Sequence, residues 1–67
     1  MTEDQAREKA VSLWGPGGDV QTVLARPPFG LLCQVGWRSG VEAGFFEQYG
    51  KGDTWEEAFE DAKDHGH

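Results

Sequence analysis

Apolar residues recur with two different periods along this chain, and the changes of period divide it into five elements. Ala6, Ala10, Leu13 and Trp14 stand at i, i+4, i+7 and i+8, one stripe of a 3.6-residue repeat, while Glu3, Asp4, Arg7 and Glu8 lie mostly off it. The spacing predicts a helix, and Thr2 followed by Gln5 supplies a capping-box start. Gly15 and Pro16 end it, because glycine accepts the left-handed cap and proline cannot continue a helix, so 15–18 is expected as a connector. From Val20 to Arg26 the residues favour strand, with Val20, Thr22, Val23 and Leu24 ahead of the break at Pro27 and Pro28. After a turn over 27–30, Leu31, Cys33, Val35 and Trp37 alternate with Leu32, Gln34, Gly36 and Arg38, the period-two pattern of a strand with two unlike faces. Ser39 and Gly40 make a tight connection to a third strand, where Val41, Ala43, Phe45 and Tyr49 alternate with Glu42, Gly44, Phe46 and Gln48. Glu47 falls on the apolar side of that strand and fits it least well. Residues 50–53 are expected as a flexible link. Thr54 and Glu57 then repeat the capping spacing, and Trp55, Ala58, Phe59 and Ala62 fall at i, i+3, i+4 and i+7, predicting a second helix that closes near Lys63 to Gly66.

The order α-β-β-β-α with short links between strands implies an α+β fold. Its sheet is expected as a three-stranded antiparallel meander with both helices packed on one face. Residues 1–67 are expected to form a single domain. The other sheet face is then open and carries Gln21, Val23, Leu32, Gln34, Arg38, Glu42, Phe46 and Gln48. Of these, Val23, Leu32, Gln34, Arg38, Phe46 and Gln48 are the candidate partner-binding residues. The alternative is an ordinary solvated sheet face with scattered apolar groups.

Composition narrows the picture. A chain of 67 residues has room for one core and buries only about 60% of its unfolded surface, so it needs a staple, a partner or dense aromatic packing. Three tryptophans, four phenylalanines and a tyrosine supply the last of these. The single cysteine, Cys33, forms no internal disulfide, which makes the cytoplasm the default compartment. No signal-like segment is expected at the charged N-terminus, and no stretch approaches the ~20 apolar residues of a membrane span. Twelve acidic residues against six basic ones give a net charge of −6, which opposes direct nucleic-acid binding.

No residue set carries recognisable chemistry, so neither an enzyme nor a cofactor or metal site is expected. The glycines of 15–18 and 50–54 match no phosphate-binding spacing, and Asp53, Glu56 and Glu57 would repel an anion at the second. Cys33 falls on the core side of its strand and is expected to be a structural thiol, with His65 and His67 far off at the C-terminal end. Those histidines lack further ligands at metal-binding spacing, Asp61 and Asp64 offering only weak binding. Glu56, Glu57, Glu60, Asp61 and Asp64 form an acidic outer face on the second helix, either simply solvated or able to imitate nucleic-acid charge. Trp14, Trp37 and Trp55 all lie at core positions of their elements.

The run from Gly44 to Ala58, in which a strand passes through glycine into Gly52-Asp53-Thr54 and then Glu56-Glu57-Ala58, resembles the strand-to-helix passage of HicB-type antitoxins. The resemblance implies a partial sheet-and-helix fold that binds a protein rather than one that catalyses. The helix ahead of the first strand departs from those antitoxins, as does the lack of their proline- and glycine-marked segment and of a DNA-binding tail. The helix-first order is similar to that of double-stranded-RNA-binding domains, but Glu56 and Glu57 stand where basic residues would be expected. The expected function is a small non-catalytic protein-binding or regulatory module, acting on a protein partner or by self-association. The alternatives are an acidic inhibitor of the phage or mobile-element type and a small ligand-binding protein.

Overall fold

The structure is a computed structural model and describes residues 1–24, 30–38 and 45–67. Its order is α1 (Glu3–Trp14), β1 (Gly18–Leu24), β2 (Leu31–Arg38), β3 (Phe46–Gly52) and α2 (Trp55–Asp64). The three strands form one antiparallel sheet in the order β1-β2-β3, the α+β meander expected from the pattern.

Both helix starts are set by local side chains. Thr2 accepts from the Gln5 amide while the Gln5 side chain accepts from the Thr2 amide, a complete capping box. Thr54 caps α2 by accepting from the Glu57 amide. Gly15 closes α1 at φ +86°, where a side chain would be strained, and its N–H donates to the Val11 carbonyl.

The helices share one face of the sheet, where Ala6, Ala10, Trp55, Ala58, Phe59 and Ala62 bury against Val20, Cys33 and Val35. Each helix makes its closest approach over a glycine. A Cβ on Gly18 would lie 2.3 Å from the Ala10 carbonyl oxygen, and one on Gly50 would lie 2.3 Å from that of Ala58 and 2.4 Å from the Ala62 nitrogen. Small residues on the helix and none on the strand let two backbones meet at a spacing no larger pair permits. Trp14 closes the top of the core, edge-on to Tyr49 with ring centroids 5.1 Å apart and stacked on Phe59 at 5.8 Å.

Four expectations change. β1 begins two residues early, at Gly18, because Gly18 pairs with Trp37 and the Arg38 amide donates to the Gly17 carbonyl, carrying the ladder into the supposed connector. β3 runs on to Gly52, so Gly50, Lys51 and Gly52 are strand and not a flexible link. The register shifts between Val35 and Gly36, which leaves Tyr49 as an extra residue in β3, and this bulge breaks the alternation that would have carried the expected third strand past Tyr49. Leu13 and Phe45 are 54% and 74% exposed, outside the core that their spacing suggested. Residues 25–26 of the expected first strand and 41–44 of the third lie outside the described residues, and so does Glu42 of the open face.

Candidate functional site

In an antiparallel pair, residues directly opposite share a face. The registers Asp19 to Gly36, Gln21 to Gln34 and Val23 to Leu32, with Arg38 to Phe46 and Gly36 to Gln48, therefore place Val23, Leu32, Gln34, Arg38, Phe46 and Gln48 on one face. That face is opposite the one packed by α1 and α2. All six candidate sheet residues are thus brought together; Gln48 is exposed and the others are half-buried. Lys51, opposite Gln34, joins them.

The face is organised by a polar chain. Arg38 Nε donates to Asp19 Oδ2 at 2.7 Å, an Arg38 terminal nitrogen donates to Gln21 Oε1 at 3.2 Å, and Gln21 Nε2 donates to Gln34 Oε1. The Arg38 guanidinium also lies 5.0 Å from the centre of the Phe46 ring, a cation–π contact that holds the ring against the sheet. At one end of the face Val23 and Leu32 form an apolar pair, and at the other the Arg38–Phe46 contact presents an amphipathic edge.

Asp19 is the residue that the sequence pattern missed. It stood between the expected connector, 15–18, and the strand expected from Val20, yet it is i−2 and i−4 from Gln21 and Val23, the alternation that would have placed it on this face. Arg7 of α1 also reaches it, Nε to Oδ1 at 3.1 Å, so one carboxylate ties helix to sheet. Burial pushes the Asp19 pKa up, but hydrogen bonds from Arg38, from the Val20 amide at 2.8 Å and from Arg7 outweigh it, and the net shift is downward. A lowered carboxylate pKa contributes stability above the unfolded value, 3.8, and loses it as pH falls through the folded value. Asp19→Ala should therefore cost about 1–3 kcal/mol at pH 7. In urea titrations at pH 7, 4 and 3 the gap from wild type should narrow only below about pH 4; a gap independent of pH would contradict the charge-based account.

No family model, curated protein or solved structure matches the chain.

The acidic residues of α2 do not make one continuous face. Glu57 accepts from the Asp53 amide at 3.1 Å and Asp61 from the Lys51 amide at 3.0 Å, so these two face β3 and satisfy backbone donors. Glu56 and Glu60 lie on the opposite flank, in a groove that Lys9, Lys63, Trp14 and Phe59 also line. Asp64, the last residue of α2, is exposed. Interleaved lysines and carboxylates already bonded to amides are a poor copy of a phosphate ladder.

The remaining candidates sit where packing puts them. Cys33 is buried, burial pushes its thiol above the ordinary value with further upward pressure from nearby carboxylates including Glu56 and Asp53, and its Sγ is 3.8 Å from the Asp53 carbonyl. His65 Nδ1 lies 2.8 Å from the Asp61 carbonyl, and His67 stacks on Tyr49 with centroids 4.0 Å apart. Among the described residues, no three His, Cys, Asp or Glu side chains gather as they would around a metal ion. No helix among the described residues is long and apolar enough to cross a membrane.

Proposed function

We propose that the chain is a small non-catalytic module that binds a protein partner through the open face of its sheet. The observation that carries this reading is the pre-ordered surface there. Arg38, Asp19, Gln21 and Gln34 are fixed to one another by hydrogen bonds, and the apolar groups Val23, Leu32 and Phe46 flank them. Side chains already held in place lose little entropy on binding, and apolar groups beside directional polar ones are what a protein interface uses. The likeness of residues 44–58 to HicB-type antitoxins points the same way.

The test is affinity capture from native cell extract with two variants run beside the wild type. Leu32→Glu combined with Phe46→Glu should weaken binding of a stoichiometric partner at least about tenfold, some 1.4 kcal/mol, with an unchanged far-UV spectrum. Glu56→Lys combined with Glu60→Lys and Asp64→Lys should leave it within about threefold. The reverse result would transfer the function to the α2 carboxylates and the acidic-inhibitor reading, and a partner retained by both variants would sink the sheet-face assignment.

A further inference from the structure

We infer that the free edge of β1 pairs with β1 of a second copy of this chain, joining two sheets into one six-stranded antiparallel sheet. This rests on the edge, not on the open face, and stands independently of the reading above. The order β1-β2-β3 leaves two edges, and they differ. The bond from the Arg38 amide to the Gly17 carbonyl, 2.7 Å, marks that pair as hydrogen-bonded. Alternation along the register then makes Asp19–Gly36, Gln21–Gln34 and Val23–Leu32 bonded pairs, and it turns the backbone groups of Val20, Thr22 and Leu24 away from β2. Asp19 already accepts the Val20 amide. Among the described residues nothing accepts the amides of Thr22 and Leu24.

The β3 edge is closed by comparison. Tyr49 bulges out of register, Asp61 occupies the Lys51 amide, and Glu47 and Lys51 place charges along the strand. Bulges, edge charges and covering side chains are the devices that prevent edge-to-edge pairing; on β1 a side chain covers the Val20 amide, and the amides of Thr22 and Leu24 carry no such cover among the described residues.

Charge and symmetry select the occupant. At a net charge of −6, two copies repel unless they meet where charge is absent or neutralised. Val20-Gln21-Thr22-Val23-Leu24 is uncharged, and the adjacent Asp19 is paired with both Arg7 and Arg38. A two-fold axis at Thr22 sets Thr22 against Thr22 and Val20 against Leu24, all outward-turned residues, so each copy offers the other the amides of Thr22 and Leu24 and the outward carbonyls, while the Val20 amide stays with Asp19. Threonine pairs stabilise antiparallel ladders. Leu24, 85% exposed, leaves water beside Val20, which is 3% exposed beneath α1. A contact of this length falls in the weak class, under about 1,200 Å² in total, so the association is read at protein concentrations up to about 1 mM.

Sedimentation equilibrium from about 10 μM to 1 mM, with amide hydrogen exchange at both ends of the range, tests it. The wild-type mass should rise from 7.4 kDa toward twice that value while exchange at Thr22 and Leu24 slows. Thr22→Pro removes an amide that its own sheet does not use, and Thr22→Lys sets a charge at the axis. Both should stay at the monomer mass, and Thr22→Lys, which keeps the amide, guards against a proline variant that fails to fold. Wild type that remains at 7.4 kDa throughout overturns the proposal, as does a dimer that survives Thr22→Lys or slows exchange on β3 instead.

Discussion

Phe59→Ala should remove about 3–5 kcal/mol, roughly a third or more of what holds this domain folded. The ring is 7% exposed, stacks on Trp14, and carries Lys9 Nζ 4.7 Å from its centre on the outer side. It is the side chain through which α2 reaches both the sheet and α1, so its removal empties the seam between the helices. Phenylalanine-to-alanine changes in cores cost about 3–5 kcal/mol. A domain of this size holds only about 3–10 kcal/mol in total. A weakened near-UV tryptophan signal and a fall in the urea midpoint that matches this loss are the expected readouts; a loss below about 1.5 kcal/mol would mean that the seam collapses around the gap. Phe45→Ala, at a site 74% exposed, should change stability by less than about 0.5 kcal/mol.

These two phenylalanines mark where sequence pattern succeeds and where it stops. Phe59 is legible because Trp55, Ala58, Phe59 and Ala62 follow the helix period, and a helix keeps its period whatever it packs on. Phe45 also stood on an apolar alternation, but β3 begins after it and then bulges at Tyr49, which resets the faces beyond that point. The helix caps were legible for the same reason as Phe59, since Thr2 with Gln5 and Thr54 with Glu57 act within one turn. β2 was legible because it alternates without interruption, the extra residue at the β2–β3 register shift lying on β3.

The site follows the same division. Parity along the strands was enough to gather Val23, Leu32, Gln34, Arg38, Phe46 and Gln48 on one face. It could not show that Asp19 holds Arg38 in place, because that requires knowing that Gly17 and Gly18 already belong to the ladder. Helical projection put the α2 carboxylates outward but could not separate Glu57 and Asp61, which accept amides just after and within β3, from Glu56 and Glu60, which do not. That separation depends on how α2 docks over Gly50, a tertiary fact with no local signature beyond a glycine in an unexpected strand.

Gly50 gives the second large effect. Gly50→Ala adds one methyl group, and the three atoms nearest to it are all backbone: the Ala58 carbonyl oxygen at 2.3 Å, the Ala62 nitrogen at 2.4 Å and the Ala62 Cα at 2.8 Å. A side chain in the way could rotate aside; a helix backbone must translate, and α2 carries Trp55, Ala58, Phe59 and Ala62 into the core as one body. Overpacking costs about 1–3 kcal/mol where neighbours yield, and here the upper end or beyond is expected. Gly30→Ala separates this cost from the conformational one. At φ +75° with nothing within 4 Å of the added Cβ, it should lose only the roughly 1–2 kcal/mol of a left-handed backbone. Because the obstruction at Gly50 is main chain, Ala62→Gly should not rescue Gly50→Ala in urea titration. Rescue would place the close contact at the Ala62 side chain instead, and would show that helix and strand meet there at ordinary van der Waals spacing.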